Sequence, residues 1–449
     1  MYNEKADILI SVIMPISNGE KYLEESLRGV MNQTLKDIEI ICVDDGSTDS
    51  TSEILLKLAA KDSRIKIITQ VKKNAGAARN RGFSEARGKY VSFLDADDIF
   101  ESDMLEEAFN TAEGSKAEIV VYRSDRYNDI SGFFEEATWT IKTKLLPEKT
   151  VFSHSDMNDI YRCFIGWAWD KLFLRETIIN SGLSFQEQNS INDMFFVFGM
   201  LAYAERVSVL DKVLVHKRIN NRRSITSNYK GLENSEDLYN ALADLKQYLI
   251  NRRLYEDMKP EYINAAIYYV IWNLDRNLTG DDFEEIFRLT RECYIPDLIG
   301  NVDDDYLKTV PDLKTEFRNL LRKNAAEYRW NRQLCYKDGS YLFPFEQVTK
   351  GSRIILYGAG KVGRSFYRQI MFSGWCEIAA WVDMRFEGRE EISEPMSAIE
   401  KGDFEIIVIA VNDELLAEEI RQHLLHTRAA GKQIIWRKAE IELQKSLYE

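Results

Sequence analysis

The sequence predicts an α/β protein in three parts. These are an open, mostly parallel sheet covered by helices, a helical middle region and a second, smaller parallel sheet. Short apolar runs alternate with segments of helical spacing over residues 1–230, and this alternation returns over residues 346–449. Residues 231–345 have helical spacing and few loop signals. We take these ranges as the expected domains.

The elements expected in the first domain follow one another as strand and helix. The predicted strands are Ile8–Pro15, Ile38–Val43, Ile65–Ile68, Tyr90–Leu94, Ile119–Tyr122 and the region Trp139–Lys144. The predicted helices are Lys21–Met31, Asp49–Ala60 and Ala75–Ala86. A βαβαβ order favours parallel strands with helices on both faces of the sheet.

Composition excludes several classes of protein. A net charge of −14 argues against non-specific binding of nucleic acid by the whole chain. The five cysteines form no C-x-x-C pair, which argues against a disulfide framework or a zinc site and fits a reducing cytosol. We find no signal peptide and no apolar run of about eighteen residues. The sequence therefore predicts a cytoplasmic protein that contacts a membrane only peripherally, at its inner face.

Two acidic motifs end apolar runs in the first hundred residues. They are VDDGSTDS (Val43–Ser50) and FLDADD (Phe93–Asp98). Because ligands of open α/β sheets bind outside the carboxyl ends of the strands, both motifs should face one crevice. Asp95 and Asp97 form a D-x-D that can hold Mg²⁺ or Mn²⁺ while a diphosphate supplies further oxygens. The alternative is that each motif is only an acidic turn.

These motifs, with NAGAARNRG (Asn74–Gly82) between them, resemble glycosyltransferase family 2 over roughly residues 8–227. The resemblance implies a GT-A fold, a Mn²⁺ or Mg²⁺ cofactor and a nucleotide diphosphate sugar as donor, which we expect to be UDP-linked. It implies Asp97 as the direct metal ligand and Asp95 as a ligand of the metal, its water or the ribose. It also implies nucleotide contacts for the residues Pro15, Asp44, Asp45 and Arg79. The alternative for Arg79 is a purely structural role, in which it caps a helix and forms ion pairs on the protein surface.

The resemblance also indicates a catalytic base in SINDMFF (Ser190–Phe196). The family usually has an acidic pair before a helix, and the second acid is the base. Here the first position is Asn192 and the second, Asp193, is kept. Asp193 can accept the proton of an acceptor hydroxyl in an inverting displacement. A purely structural helix cap is the alternative.

A basic segment, VLVHKRINNRRSIT (Val213–Thr226), resembles the family's closing segment over the diphosphate. His216 would complete the metal shell and Arg218 would pair with phosphate oxygens through its planar fork. For His216, a structural role is an equally good alternative. Lys217 and the pair Arg222 and Arg223 belong to the same segment.

The C-terminal domain contains G-x-G-x-x-G at Gly358, Gly360 and Gly363, between an apolar run and a helix, and Asp383 ends the next run. This context indicates a Rossmann-like domain and a second nucleotide site, in which Asp383 binds a ribose hydroxyl. Only one mononucleotide half is evident, and no hydride-transfer constellation follows. The unit also resembles small Rossmann-like domains of bacterial surface-polysaccharide enzymes, so an empty scaffold or a docking module that joins copies of the chain is an equal alternative.

The sequence thus predicts a metal-dependent, inverting glycosyltransferase that moves a sugar to a hydroxyl of a surface-glycan acceptor. The sequence predicts only the class of the acceptor, which is a glycan, a lipid-linked molecule or a protein. No Q-x-x-R-W follows Asp193, so we expect addition of one or a few sugars. The rival reading is a nucleotide-dependent oxidoreductase or epimerase that uses the C-terminal domain.

Overall fold

The computed structural model describes residues 8–137, 139–219, 230–278, 280–300, 311–335, 343–384 and 392–438, together with residues 302, 306 and 341. The chain divides into two compact units, of which the first extends to Phe317 and the second begins at Arg318. Arg222 and Arg223 lie outside the described residues.

The first unit contains a ten-stranded sheet. Its strands are β1 (Ile10–Ile16), β2 (Ile38–Asp45), β3 (Ile65–Gln70), β4 (Tyr90–Phe93), β5 (Ile99–Phe100), β6 (Ile119–Asn128), β7 (Phe134–Glu135), β8 (Val151–Phe152), β9 (Lys171–Leu174) and β10 (Val207–Ile219). They lie in the order β3-β2-β1-β4-β9-β6-β10-β5, with β7 beside β6 and β8 beside β10.

The sheet is mixed. Strands β1 to β4 pair in parallel as expected, but β9 runs antiparallel to both β4 and β6. The expectation of a mostly parallel sheet is therefore right for the first four strands and for β10, which pairs in parallel with β6. It is wrong for β9 and for the short strands β5, β7 and β8, which pair antiparallel with their neighbours. Four residues, Lys171–Leu174, are too few for their pattern to indicate the direction of a strand.

The strand expected at Trp139–Lys144 is absent. Within it, Ile141 makes a single antiparallel bridge to Phe164, and Thr143–Leu145 form a turn of 3₁₀-helix. Alternating apolar and polar side chains suit a strand, but without a neighbouring strand to complete the ladder, tertiary context overrides that propensity.

Helices cover the sheet and form the middle of the chain. They are α1 (Leu23–Met31), α2 (Thr51–Ala59), α3 (Ala75–Phe83), α4 (Met104–Ser115), α5 (Ile160–Cys163), α6 (Arg175–Ser181), α7 (Met194–Tyr203), α8 (Leu232–Asn251), α9 (Tyr255–Asn277), α10 (Phe283–Leu289), α11 (Ile295–Leu298) and α12 (Pro311–Arg322). The expected helical middle is thus confirmed. In the described part of the chain, none of the helices has both the length and the apolar character needed to span a bilayer.

The register of the central strands positions the site. β2 is buried along its whole length and ends in two acids. Ile16 of β1 is aligned with Asp44 of β2, and Ile13 of β1 with Phe93 of β4. Since parallel strands end at the same edge, the D-x-D that follows β4 lies beside the end of β1.

Helix α7 anchors the other side of the site. Eight of its ten residues are buried, so it packs on all sides and not along one stripe. It packs against α8, and α5 packs against α9, which ties the helical middle to the sheet domain within the first unit. The residues just before α7 are therefore held firmly.

The second unit is a small parallel sheet between helices. Its strands, in the order β12-β11-β13-β14, are β11 (Arg353–Tyr357), β12 (Glu377–Val382), β13 (Ile406–Ile409) and β14 (Gln433–Ile435). Its helices are α13 (Ala325–Cys335), α14 (Lys361–Ser373), α15 (Pro395–Lys401) and α16 (Glu414–Leu425). Apolar clusters fill both faces of the sheet, which confirms the expected small parallel sheet. Phe343 and Phe345 belong to one of these clusters.

Candidate active site

A cavity of about 860 Å³ lies at the carboxyl ends of β1, β2 and β4. It brings together six of the residues that the sequence singled out, which are Pro15, Asp45, Arg79, Asp95, Asp97 and Asp193. Lys217 also lines it. The D-x-D and the expected base, which are about a hundred residues apart in the chain, therefore share one cavity.

Three aspartates form a group, and two of them, Asp95 and Asp97, line this cavity. Asp95, Asp97 and Asp98 each place an oxygen within 4.8 Å of the other two. Asp98 is fully buried and accepts a hydrogen bond of 2.9 Å from the backbone N–H of Arg218. Burial, reinforced by Asp97 and Asp95 and opposed by Lys217, raises the pKa of Asp98 to about 8. Asp98 thus ties the D-x-D turn to β10.

Two cations hold Asp95 in place. Nη2 of Arg79 donates to Oδ1 of Asp95 at 2.8 Å, and Nζ of Lys217 donates to Oδ2 at 3.2 Å. Burial alone would raise the pKa of Asp95, but these two cations outweigh it and lower the pKa. Asp95 is therefore an anion with both oxygens engaged.

Arg79 also reaches the segment before α7. Its Nη1 donates to Oδ1 of Asn192 at 2.7 Å. The close approach depends on Gly76, because a Cβ at that position would lie 1.9 Å from the carbonyl oxygen of Gln186. Arg79 is buried, so it links two parts of the site from below and is not a surface residue.

Asp193 immediately precedes α7, yet its carboxylate makes no capping hydrogen bond to that helix. It is half-buried and lines the cavity. Burial raises its pKa, against the opposing effect of Arg79. Ile191, two residues earlier, has a φ of 50°, which is strained for a β-branched residue. Backbone strain of this kind is concentrated at functional sites.

The two acids at the end of β2 differ in their surroundings. Asp45 lines the cavity, and its Oδ1 accepts from the backbone N–H of Lys73 at 2.8 Å and from Gln70 at 2.7 Å. Asp44 instead accepts from Ser47 N–H at 3.0 Å and from Ser52 Oγ at 2.8 Å, so it holds the turn before α2. Asp44 does not line the cavity, contrary to the role expected for it.

His216 lies outside the carboxylate group. Its Nδ1 is 2.5 Å from Oδ1 of Asp125, and its Nε2 is 3.0 Å from Oε1 of Glu101. Both ring nitrogens are therefore engaged elsewhere, which differs from the expected metal ligation and matches the structural alternative.

Arg218 is not among the residues that line the cavity. Its guanidinium pairs with Asp129 and Glu25, each at 2.8 Å, and Nε donates to the carbonyl of Asp97 at 2.8 Å. It lies against the ring of Tyr22. Arg218 is thus a buried support of the D-x-D turn, and its guanidinium pairs with carboxylates where the sequence predicts a phosphate contact. Because side chains alternate along a strand, Lys217 is the residue of this segment that faces the cavity.

Part of the cavity wall is aromatic, which the sequence pattern did not indicate. Trp167, Trp169 and Trp272 line it. Trp167 and Trp169 belong to the segment GWAWDKLF (residues 166–173), whereas Trp272 belongs to α9 in the helical middle. The periodicity of α9 indicates an apolar helix face but not that one of its residues reaches the site.

The glycine motif of the second unit shapes a tight turn between β11 and α14. Gly358 has a φ of 117°, and a Cβ on Gly363 would lie 1.8 Å from the carbonyl oxygen of Gly358. Oδ2 of Asp383 accepts from the backbone N–H of Ala359 at 2.5 Å. Asp383 is thus engaged with the loop itself.

Comparisons with known proteins identify the family. The family described as "Glycosyl transferase family 2" matches residues 11–170. A cholesterol galactosyltransferase of Borreliella burgdorferi is 30% identical over 291 residues, which are 62% of this chain and 80% of that protein. The putative glycosyltransferase EpsH of Bacillus subtilis is 32% identical over 217 residues, which are 47% of this chain and only 60% of EpsH.

Solved structures share the fold. The crystal structure of S. aureus TarS 1-349 has a TM-score of 0.55 and 19% identity, and the match covers 75% of this chain and 93% of that one. The same fragment in complex with UDP-GlcNAc has a TM-score of 0.56. At this identity the likeness establishes the fold alone, and it confirms the fold expected for the first part of the chain.

Proposed function

Because this chain belongs to glycosyltransferase family 2, we propose that it transfers a sugar from a UDP-linked donor to a hydroxyl of a surface-glycan acceptor. The proposed transfer inverts the anomeric centre and depends on a divalent cation. The observation that carries the proposal is the single cavity in which the D-x-D carboxylates and Asp193 meet.

The carboxylate group suits Mg²⁺ or Mn²⁺. It offers hard oxygen donors, and its three ligand atoms lie within 4.8 Å of one another. Both oxygens of Asp95 are engaged by cations, and Asp98 is bound to the backbone of β10. We assign direct ligation to Asp97, which lines the cavity and occupies the position that the family resemblance implies for the metal ligand. A cation held there would stabilise the charge on the departing diphosphate.

Asp193 is the proposed catalytic base. The acceptor oxygen attacks the anomeric carbon, the bond from that carbon to the diphosphate oxygen breaks, and the hydroxyl proton passes to the carboxylate of Asp193. The raised pKa of Asp193 makes it a stronger base than an exposed aspartate. Because the acceptor attacks on the face opposite the leaving diphosphate, the anomeric configuration inverts.

The cations of the site have a second proposed role. Lys217 and Arg79 fix Asp95, and both line the cavity that must receive a diphosphate. Their positive charge favours that anion. We assign contact with the nucleoside part of the donor to Asp45, which Lys73 N–H and Gln70 hold in place, and to Pro15. Both residues line the cavity.

The rival oxidoreductase or epimerase is not favoured. Its activity would depend on the second unit, where Asp383 is engaged with the glycine turn. We keep residues 1–230, 231–345 and 346–449 as the proposed catalytic, helical and Rossmann-like domains. For the last domain we propose a role in assembly of copies or in docking. Contact with the inner face of a membrane is proposed only for the case of a lipid-linked acceptor.

Hydrolysis of nucleotide sugars by the full chain tests the function. UDP-glucose, UDP-galactose, UDP-GlcNAc and GDP-mannose are each incubated with MnCl₂ or with EDTA, and release of nucleoside diphosphate is measured. We expect release from at least one UDP-sugar, and only with the cation. Full activity in EDTA would contradict the metal dependence, and release from GDP-mannose alone would contradict the assignment of a uridine donor.

A further inference from the structure

Two half-buried indoles share the cavity with the proposed base. Trp167 precedes β9, and Trp272 belongs to α9 of the helical middle. The ring of Trp167 lies 5.0 Å from that of Trp169 beneath it and 5.3 Å from that of Trp139. Trp167 thus belongs to a group of packed indoles and is not an isolated side chain.

The loop that carries Trp167 is fixed from inside. Lys171 is completely buried, and its Nζ donates to Oδ1 of Asp170 at 2.5 Å, to the carbonyl of Trp167 at 2.8 Å and to that of Ile165 at 3.1 Å. These acceptors use all three ammonium hydrogens. A buried charge is costly to a fold unless it is fully paired, so this arrangement indicates a loop whose conformation is specified.

Both indoles are linked by packing to α7, the helix that directly follows the proposed base Asp193. Gly166, just before Trp167, packs so closely on α7 that a Cβ there would lie 3.3 Å from Cα of Met194, the neighbour of Asp193. On the other side, the ring of Tyr269 in α9 lies 5.9 Å from that of Phe198 in α7. Trp272 follows Tyr269 by one turn of that helix, with the two rings 6.4 Å apart.

The cavity is thus lined by two kinds of surface. The acids and cations around Asp95 suit a metal-bound diphosphate. The indole surfaces are apolar, whereas Asn189 and Ser190, which line the same cavity, are polar. A pyranose ring has the matching chemistry, since its C–H face stacks on an aromatic ring while its hydroxyls meet polar groups at the edge. A fused hydrocarbon ring system would leave that polar edge unmatched.

We propose that Trp167 and Trp272 bind the acceptor, and that the acceptor group they bind is a pyranose ring whose hydroxyl is presented to Asp193. This rests on the transfer activity proposed above and adds the class of its second substrate. It assigns a role in acceptor recognition to the helical middle through Trp272.

The test uses the full chain with Mn²⁺ and the UDP-sugar that it hydrolyses fastest. Methyl β-glycosides of glucose, galactose and N-acetylglucosamine serve as acceptors, and cholesterol in detergent micelles represents the competing class. Transfer product and free sugar are both quantified, which gives the partition between acceptor and water. Trp167→Ala and Trp272→Ala are compared with Trp375→Ala, a half-buried indole of the second unit.

We expect at least one glycoside to accept sugar, and each of the two cavity variants to raise the acceptor KM and to lower the ratio of transfer to hydrolysis at least tenfold. Trp375→Ala should leave that ratio unchanged. An unaltered ratio in both cavity variants would overturn the role of the indoles. Transfer to cholesterol and to none of the glycosides, or stimulation by no acceptor at all, would overturn the pyranose. If the wild-type chain hydrolyses no nucleotide sugar, the proposed function itself fails, which is a different result.

Discussion

Nη1 of Arg79 lies 2.7 Å from Oδ1 of Asn192, and Nη2 of the same guanidinium lies 2.8 Å from Asp95. One buried side chain therefore joins the D-x-D to the segment that carries the proposed base. The family usually has an acid where this chain has Asn192. The amide oxygen still accepts the hydrogen bond of Arg79, and it does so without placing a second negative charge beside Asp193.

Two substitutions of Asn192 separate the hydrogen bond from the charge. We expect Asn192→Leu to lower the free energy of unfolding by about 2 kcal/mol or more, because a buried charged donor loses its acceptor. Nε of Arg79 already has no partner, so the guanidinium has little left to compensate with. Asn192→Asp keeps an acceptor and should stay within about 1 kcal/mol of the wild type. Urea unfolding measures the free energy of unfolding of both variants. Equal losses in the two would show that the hydrogen bond between Arg79 and residue 192 contributes little to stability.

The sequence was sufficient for the parts of the site that depend on local pattern. Apolar runs that stop at carboxylates predicted the ends of β2 and β4, and the D-x-D lies where that pattern indicates. The order of strands and helices also predicted the parallel strands β1 to β4 and the small second sheet. These features depend on residues that are close together in the chain.

Features that depend on the register and on distant contacts could not be read in this way. Adjacent residues of a strand face opposite sides of the sheet. A shift of the register by one residue would therefore exchange the roles of Asp44 and Asp45, and likewise those of Lys217 and Arg218. The structure directs Asp45 and Lys217 to the cavity. Trp272 reaches the site only because α9 packs beside the sheet domain, and no local signal carries that information.

Replacing Asp97 tests the metal site. Asp97→Ala should abolish Mn²⁺-dependent release of UDP and Mn²⁺-enhanced binding of UDP, because the diphosphate charge is then unneutralised in the cavity. Asp103→Ala is the control, since Asp103 pairs with Lys212 away from the carboxylate group. Initial rates over a range of MnCl₂ concentrations give the answer. Undiminished turnover in Asp97→Ala would contradict direct ligation.

Asp193→Asn tests the base. The variant keeps the shape of the side chain but cannot take up a proton, so turnover should fall about 10²-fold or more while UDP binding stays near normal. Steady-state transfer and calorimetric titration with UDP measure the two effects. Loss of UDP affinity with turnover retained would instead make Asp193 a structural residue.

Asp193→Asn should also change how the free energy of unfolding depends on pH. Burial raises the pKa of Asp193 above 3.8, so its neutral form favours the folded state. That stabilisation is complete below 3.8 and is lost as the pH rises through the raised value. Asparagine does not titrate. The free energy of unfolding of Asp193→Asn, relative to the wild type, should therefore increase from acidic to neutral pH, and urea titrations at a series of pH values measure it. A difference that is constant with pH would contradict the raised pKa.

Ile191 tests the strain next to the base. Its φ of 50° favours glycine over any side chain with a Cβ. We expect Ile191→Gly to be more stable than Ile191→Ala by about 1 kcal/mol, although glycine usually destabilises relative to alanine. Urea unfolding of the two variants gives this difference directly. A more stable alanine variant would show that Ile191 does not adopt the left-handed conformation.

A pair of serine substitutions tests what the glycine motif of the second unit does. Gly363 packs directly on the backbone, since a Cβ there would lie 1.8 Å from the carbonyl oxygen of Gly358. That oxygen belongs to the backbone, so it cannot move aside as the end of a flexible side chain would. Gly360 has open space around its Cβ position and a φ of −71°. It also occupies the cap position of α14, which serine favours. Gly363→Ser should therefore lower the free energy of unfolding of this unit by about 3 kcal/mol. Gly360→Ser should leave it unchanged or raise it by up to about 1 kcal/mol.

Calorimetric unfolding of the full chain measures both, and hydrolysis of the UDP-sugar serves as a control. Hydrolysis should persist in Gly360→Ser, because every residue assigned to donor chemistry belongs to the first unit. Equal stability of the two variants would contradict the close packing at Gly363.

Titration of the full chain with NADH and NADPH tests whether the glycine loop binds a nucleotide. Asp383 is already bound to the amide of Ala359, so we expect no micromolar binding. If such binding is found in the wild type and is lost in Gly360→Ser, the loop is a nucleotide site, and its glycines serve a ligand as well as the turn.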